Sequence, residues 1–271
     1  MQHLRLSMIM PVFNERETVA SVAQRVLAEV PFPLELIIVD DGSTDGSAEI
    51  IDALARNDPR VLAIHKTNGG KTSALKAGFE RSRGEIVIIQ DADLEYDPAE
   101  IPHVLQPILE NHADVVYGSR FLVRRASRVL YFYHYLANRV LTLFSNALTN
   151  LNMTDVETGY KALRGDIIRN MIIESRGFGI EIEITAKIAK LGISIYEVPI
   201  SYYGRTYEQG KKIGFKDGVL ALWYIFRFNL LCGINNSFRE IPKLNVTEPR
   251  NLSGAPAGPG SANSKVHRVS G

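Results

Sequence analysis

Asp91 and Asp93 stand on either side of Ala92, separated only by Gln90 from the run Ile86-Val87-Ile88-Ile89. Along extended backbone, alternate side chains point the same way, so both carboxylates leave the end of that run on one side. Two acids this close repel each other unless a divalent cation sits between them. Mg²⁺ or Mn²⁺, which bind carboxylate oxygens and keep positions for phosphate, are the natural occupants. A polar turn closing a strand would use the same residues, because Asp is a common turn former. The surrounding chain decides between the two.

Further groups with chemistry follow glycines. Lys71 comes after Asn68-Gly69-Gly70, and a later stretch carries Arg205, Lys211 and Lys212 among Gly204, Gly210 and Gly214. Cations on a glycine-flanked loop suit closure over phosphates, although a solvated basic loop has the same composition.

These groups need a scaffold. Four consecutive β-branched residues are too apolar for a strand with one wet face, so Ile86 to Ile89 is expected as a central strand covered on both sides. Before it, strands are expected at Leu6 to Val12, Leu34 to Val39 and Val61 to Ile64. Helices are expected at Thr18 to Val30, Ser47 to Arg56 and Thr72 to Ser82. Asn14 and Glu17 form a candidate capping box for the first helix. Asp97-Pro98-Ala99-Glu100 supplies a cap, a first-turn proline and a capping-box acid for a helix from Ala99 to Asn111, followed by a strand at Val115 to Tyr117. Farther on come Thr154 to Arg164, a polar turn leading into a strand, helices near Asp166 to Glu174 and Ile180 to Leu191, and a strand at Ile195 to Val198. Strands alternating with helices of about a dozen residues predict an α/β fold, a mostly parallel sheet with helices on both faces. Right-handed crossovers then gather the acidic and glycine-rich turns at one edge, where open α/β sheets bind ligands.

Composition narrows the classes. With 271 residues and 45% apolar content the chain can bury one sizeable core, and a net charge of +1 gives no global field for nucleic acid. The first strand carries no G-x-G-x-x-G, and no P-loop occurs, which removes weight from dinucleotide and ATP chemistry. A lone Cys232 and a strand that begins almost at the N-terminus, without room for a signal peptide, lead us to expect a cytoplasmic protein.

Two stretches are amphipathic. Between residues 127 and 151, Phe132, Leu136, Val140, Leu143, Ala147 and Leu151 recur at helical spacing, with His134, Asn138, Thr142, Ser145 and Thr149 on another face. Such a helix lies at a membrane interface or packs internally, and Arg124, Arg125 and Arg128 at its head favour a lipid-phosphate surface. Residues 215 to 232 form a second candidate interface helix, too short to span a bilayer, which needs about 20 apolar residues. The domain is expected to occupy residues 1 to 234, and a Pro-, Gly- and Ser-rich tail from 235 to 271 is expected to be disordered.

Taken together, Pro11-Val12-Phe13-Asn14-Glu15, Asp40-Asp41-Gly42-Ser43-Thr44-Asp45, Asp91-Ala92-Asp93-Leu94-Glu95, Gly118-Ser119-Arg120, Asp155 to Lys161 and Val198-Pro199-Ile200 resemble the motifs of family 2 inverting glycosyltransferases. The nearest branch is similar to the polyprenyl-phosphate (dolichol-phosphate) mannosyl and glucosyl synthases. The resemblance covers about residues 6 to 232. It implies a GT-A fold, a nucleotide-sugar donor, a polyprenyl-phosphate acceptor and Mg²⁺ or Mn²⁺ as cofactor. Asp91 and Asp93 would be metal ligands, and Glu95, where that branch commonly has Gln, adds a third carboxylate. Pro11, Asn14, Glu15 and Asp41 would line the nucleoside pocket. Lys71 would join the donor site, and Arg120, Arg205, Lys211 and Lys212 would neutralise donor and acceptor phosphates.

A sugar hydroxyl acceptor requires a carboxylate base, whereas a lipid monophosphate, with a second pKa of about 6, is already largely dianionic. Asp155 stands where hydroxyl-transferring relatives carry a base, and here it is assigned to positioning the acceptor site. The implied activity is hexose transfer, mannose or glucose, from GDP or UDP to polyprenyl phosphate, by a peripheral protein on the inner membrane face. Transfer to a glycan or lipid hydroxyl, and a non-catalytic nucleotide-sugar binder, remain the alternatives.

Overall fold

A computed structural model describes residues 5–122, 131–204 and 215–242. The elements in chain order are β1 (Leu6–Val12), α1 (Val19–Glu29), β2 (Leu34–Asp40), α2 (Ser47–Asn57), β3 (Val61–His65), α3 (Lys71–Arg81), β4 (Ile86–Ile89), α4 (Ile101–Leu109), β5 (Val115–Ser119) and α5 (Phe132–Thr149). They continue with β6 (Lys161–Arg164), α6 (Gly165–Asn170), α7 (Ile180–Ile188), β7 (Ile195–Pro199) and α8 (Phe215–Phe226). A π-helical turn, Arg227–Leu231, extends α8.

The seven strands form one sheet in the order β3-β2-β1-β4-β6-β5-β7. The alternation of side chains sends Met8, Met10, Ile86 and Ile88 to one face and Ile9, Val87 and Ile89 to the other, each face having its own buried cluster. This is the double coverage that the β-branched run of β4 demands. β1 lies between β2 and β4, both parallel to it, so strand order reverses there and the turns after all three open at one edge.

The single antiparallel strand, β6, enters between β4 and β5, with Ile88 opposite Ala162 and Tyr117 opposite Lys161. Running the opposite way, it brings the segment that precedes it, residues 155–160, to the edge where β4 releases Asp91. The sequence foretold the strand, but its direction depends on partners distant in the chain.

Several expectations are corrected. Asn14 does not cap α1: Thr18 occupies the N-cap without a side-chain capping bond, and Asn14, at φ 55°, accepts from the Thr44 amide at 2.8 Å. Asp97 does cap its turn through the Ala99 amide, but Glu100 closes no capping box there and instead accepts from the Ser201 amide and hydroxyl at 2.8 and 2.9 Å. The helix expected over 166–174 ends at Asn170. The chain does not stop packing at 234 either: Ser237 and Phe238 are buried, and Met171 bridges Phe238 in antiparallel fashion. The rest of the tail, from residue 243, lies outside the described residues.

For α5 the structure decides between the two alternatives. Its buried residues are Leu141, Thr142 and Ser145, whereas Phe132 and Leu143 are each 67% exposed and Leu136, Val140 and Phe144 are exposed as well. The uncharged polar face turns inward because it has partners there: Asn138 accepts from Arg120, Thr142 from the Val156 amide, and Asn146 bonds both backbone groups of Met153. The packed-helix alternative therefore fails for the apolar stripe. α8 packs beside α5 and exposes Val219, Leu222, Trp223 and Phe226. No helix among the described residues is long and apolar enough to cross a membrane.

Candidate active site

At the edge where β1, β2 and β4 end, a cavity of about 370 Å³ opens. Of the residues singled out from sequence, Pro11, Glu15, Asp41, Lys71, Asp91, Asp93, Glu95 and Arg120 line it. Asn14 is exposed, does not line the cavity, and steadies the Ser43–Thr44 turn. Asp155 also stands back from the cavity and acts on Arg120. Arg205, Lys211 and Lys212 lie outside the described residues.

Asp91 leaves β4 toward Lys71, the first residue of α3, whose Nζ lies 3.0 Å from Oδ1 and 3.1 Å from Oδ2. The same ammonium is 3.1 Å from Glu181 Oε1. Burial opposes the Lys71 charge, but these two carboxylates outweigh it and hold its pKa well above the ordinary lysine value. Gly159 lies over Asp91: a Cβ there would come within 2.5 Å of Oδ2, so only glycine admits the close approach. Beyond Asp93, whose Oδ1 accepts from the Glu95 amide at 3.1 Å, Leu94 adopts φ 60°. This strained conformation for a branched residue folds Glu95 and Tyr96 back toward the cavity. Glu95 then accepts from the Tyr202 hydroxyl at 2.8 Å.

Asp41 is buried and fixes the glycine turn that starts α3. Its oxygens accept from Lys66 Nζ at 2.6 Å, from the Gly69 amide at 3.0 Å and from the Gly70 amide at 2.7 Å. That turn sets Lys71 in place, and the Thr72 amide and hydroxyl anchor it again on the carbonyl of Gly177.

Arg120 follows β5 and is held by Asp155 through two parallel bonds of 2.7 Å, with a third from its own amide at 3.0 Å. Asp155 is 0% exposed. Its pairing outweighs the burial of the guanidinium and keeps Arg120 firmly charged, while the Tyr202 ring packs 5.2 Å from the arginine carbon. With both oxygens committed, Asp155 presents a cation and is poorly placed to take a proton.

Sequence reasoning missed Tyr96, Glu157, Gly159, Glu181 and Tyr202, all on the cavity wall. Burial pushes the Glu157 carboxyl up to about 7, and the nearby Glu181 adds to the rise. Lys161, pulled down to about 8 by burial, donates to the carbonyls of Val156 and Thr158 and so fixes the loop that carries Glu157. A signal for Glu181 was present: Ile180-Glu181-Ile182-Glu183-Ile184 places acids in a segment too apolar to be a surface helix, and all nine residues of α7 are buried.

Asp91 and Asp93 offer two hard oxygen donors to one cavity, and among the described residues no third His, Cys, Asp or Glu joins them in a closed cage. An incomplete set of this kind fits Mg²⁺ or Mn²⁺, ions that commonly retain places for phosphate oxygens.

A doubly covered, mostly parallel sheet with an acid pair at the end of its central strand defines a GT-A-like α/β protein. Residues 7–171 match the family model described as glycosyl transferase family 2, and the chain belongs to that family. It is 32% identical over 218 residues to an undecaprenyl-phosphate mannosyltransferase of Micrococcus luteus, across 78% of this chain and 88% of that one. It is 30% identical over 218 residues to a polyprenol monophosphomannose synthase of Mycolicibacterium smegmatis, across 78% and 82% of the two chains. Among solved structures, glucosyl-3-phosphoglycerate synthase of Mycobacterium tuberculosis, in complex with Mn²⁺ and UDP, superposes with a TM-score of 0.64 at 19% identity, covering 83% of this chain and 80% of that one. That likeness is one of fold. The protein is a glycosyltransferase that uses a nucleotide-sugar donor.

Proposed function

We propose that the protein transfers a hexose, mannose or glucose, with inversion from GDP-mannose or UDP-glucose to polyprenyl phosphate, while bound peripherally at the inner face of the membrane. The observation that carries this reading is the two-sided character of α5. One of its faces touches Arg120 through Asn138, and the other displays Phe132, Leu136, Leu143 and Phe144 to the outside. A phosphate drawn to Arg120 would thus belong to a molecule whose hydrocarbon continues along the helix. The named activities of the Micrococcus and Mycolicibacterium relatives support the same acceptor and favour mannose.

In this scheme Asp91 and Asp93 would hold Mg²⁺ or Mn²⁺, which would supply positive charge beside the diphosphate of the donor. Pro11, Glu15 and Asp41 border the nucleoside end, Asn14 steadies the Ser43–Thr44 turn, and Lys71 keeps Asp91 oriented. Glu95, expected as a third metal ligand, makes no such group with Asp91 and Asp93 and instead braces Tyr202. Arg120, positioned by Asp155, orients the acceptor phosphate, and Arg205, Lys211 and Lys212 add positive charge for the phosphates. The acceptor is ionised at neutral pH, so orientation supplies the catalysis that a base supplies for hydroxyl acceptors.

The test is incubation with vesicles containing polyprenyl phosphate, Mn²⁺ and radiolabelled GDP-mannose or UDP-glucose. Label should enter the organic phase from one donor, be released by mild acid as expected of a glycosyl phosphate, and disappear in Asp91→Ala. Label recovered in an acid-stable glycoside would overturn the lipid-phosphate reading in favour of a hydroxyl acceptor.

A further inference from the structure

The chain between α6 and α7 bonds to both α8 and the start of α3. The Arg176 amide donates to the Tyr224 hydroxyl of α8 at 3.1 Å. One residue on, the Gly177 carbonyl accepts from the Thr72 amide at 3.2 Å and from the Thr72 hydroxyl at 2.9 Å. The first amides of a helix have no partner within it, so Gly177 closes from outside the end of α3 that begins with Lys71. Gly177, Phe178 and Lys71 all line the cavity.

Tyr224 is itself held on several sides. It is 6% exposed, its ring stacks on Phe228 with centroids 5.5 Å apart, and it lies so close over Gly179 that a side chain there has no room. Ile182, the neighbour of Glu181, belongs to the same buried cluster. The preceding residue of α8, Trp223, is 50% exposed and stacks on Phe226, with Val219 and Leu222 exposed as well. α8 thus turns an apolar side outward and rests the adjoining side on the segment that ends at the cavity.

We propose that Tyr224 is a positioning residue for the cavity: through Arg176 and Gly177 it sets the start of α3 and with it Lys71, so that the outer side of α8 and the cavity respond to each other's ligands. This rests on the reading that the cavity binds a nucleotide sugar and that the exposed side of α8 meets lipid. Tyr224 touches no reacting atom and acts through Lys71, which holds Asp91. Coupling between separated sites travels through packed side chains and hydrogen bonds that shift together, and it is reciprocal: if lipid on α8 tightens a ligand in the cavity, that ligand tightens the lipid by the same factor.

Trp223 is the chain's one tryptophan, so its emission reports on α8 without a label. In the full chain with Mn²⁺ and no lipid, GDP or UDP, whichever isothermal titration shows to bind, should change that emission with the same midpoint as binding. Tyr224→Phe keeps the ring and removes only the hydroxyl. It should bind the nucleotide three- to tenfold more weakly and, at saturation, leave the emission unmoved. Thr72→Val, at the far end of the relay, should do the same, and Thr72→Ser, which restores the hydroxyl, should recover the response. An emission that ignores the nucleotide in the unaltered protein, or responds fully in both variants, overturns the proposal. Phosphatidylglycerol vesicles without polyprenyl phosphate should tighten nucleotide binding at least threefold in the unaltered protein and not in Tyr224→Phe, although the two bind the vesicles within twofold of each other. Vesicles that bind and tighten nothing, or tighten both proteins alike, overturn it too. If vesicles fail to bind while the emission follows the nucleotide, the membrane reading fails and the role of Tyr224 stands. If neither nucleotide binds, the cavity reading fails and this proposal fails with it.

Discussion

α7 and α5 both invert the usual distribution of side chains, in opposite directions. α7 is buried along its whole length, yet it carries Glu181, Glu183 and Lys187. α5 lies at the surface, yet its outward face is aromatic and aliphatic. In α7 the charges are matched: Lys187 Nζ lies 2.6 Å from Glu183, both are fully buried, and Glu183 also accepts from the amides of Glu174 and Ser175. In α5 Phe132, Leu136, Leu143 and Phe144 stay exposed, and the neighbouring α8 exposes apolar groups as well. Charge taken inward and grease turned outward both cost stability in a free-standing protein, so each departure points to something the molecule does. α7 builds the cavity wall, and under the proposed function α5 would link that wall to a hydrocarbon surface.

Substitutions separate the two cases. Lys187→Ala should produce the largest effect, a loss of roughly 3 to 5 kcal/mol in urea unfolding, because it leaves Glu183 buried without its cation. An unchanged midpoint would mean that the α7 charges are not the matched set described here. Paired Phe132→Ser and Leu143→Ser substitutions on α5 should leave the unfolding midpoint within about 0.5 kcal/mol of the unaltered protein. They should also weaken sedimentation with anionic vesicles by roughly tenfold or more, given about 1.5 to 3 kcal/mol per large apolar side chain. Unaltered vesicle binding would remove α5 from the membrane contact.

Where the two helices meet the site, Gly159→Ala should lower turnover by about 10²-fold with little change in fold, since a methyl group there collides with the Asp91 carboxylate. Full activity would show that Asp91 has room to move. The smallest effect is expected away from both helices, at His65, whose imidazole bonds Asp40 at 3.1 Å and Asp52 at 3.0 Å. The bond to Asp40, then that to Asp52, raises its pKa above the usual 6.5. A raised folded value means that its stabilisation is complete below the unfolded pKa and fades as pH rises through the folded one. His65→Gln should therefore be slightly less stable than the unaltered protein near pH 5.5 and equal to it at pH 9 in thermal melts. A gap that widened with pH would contradict the assignment.

The sheet was legible because its evidence is local. β4 announced itself by four β-branched residues, and Asp91 and Asp93 by their place at its end. Partners remote in sequence were not legible. Nothing in Lys161 to Arg164 reveals that β6 runs antiparallel between β4 and β5, and it is this direction that carries Glu157 and Gly159 to Asp91. Asn14 illustrates the same limit: its type and spacing suit a helix cap, but a loop thirty residues away offers it a better bond. For α5, periodicity located the stripe without telling which side was wet, because the usual rule assigns the apolar face to the core.

The ammonium of Lys71 sits against both Asp91 and Glu181. It relieves part of the mutual repulsion that would otherwise push the tip of β4 away from α7, so part of the charge compensation at this corner is built into the protein itself. A chelating buffer should then silence the protein without unfolding it, and returning the ion should restore turnover with no refolding delay.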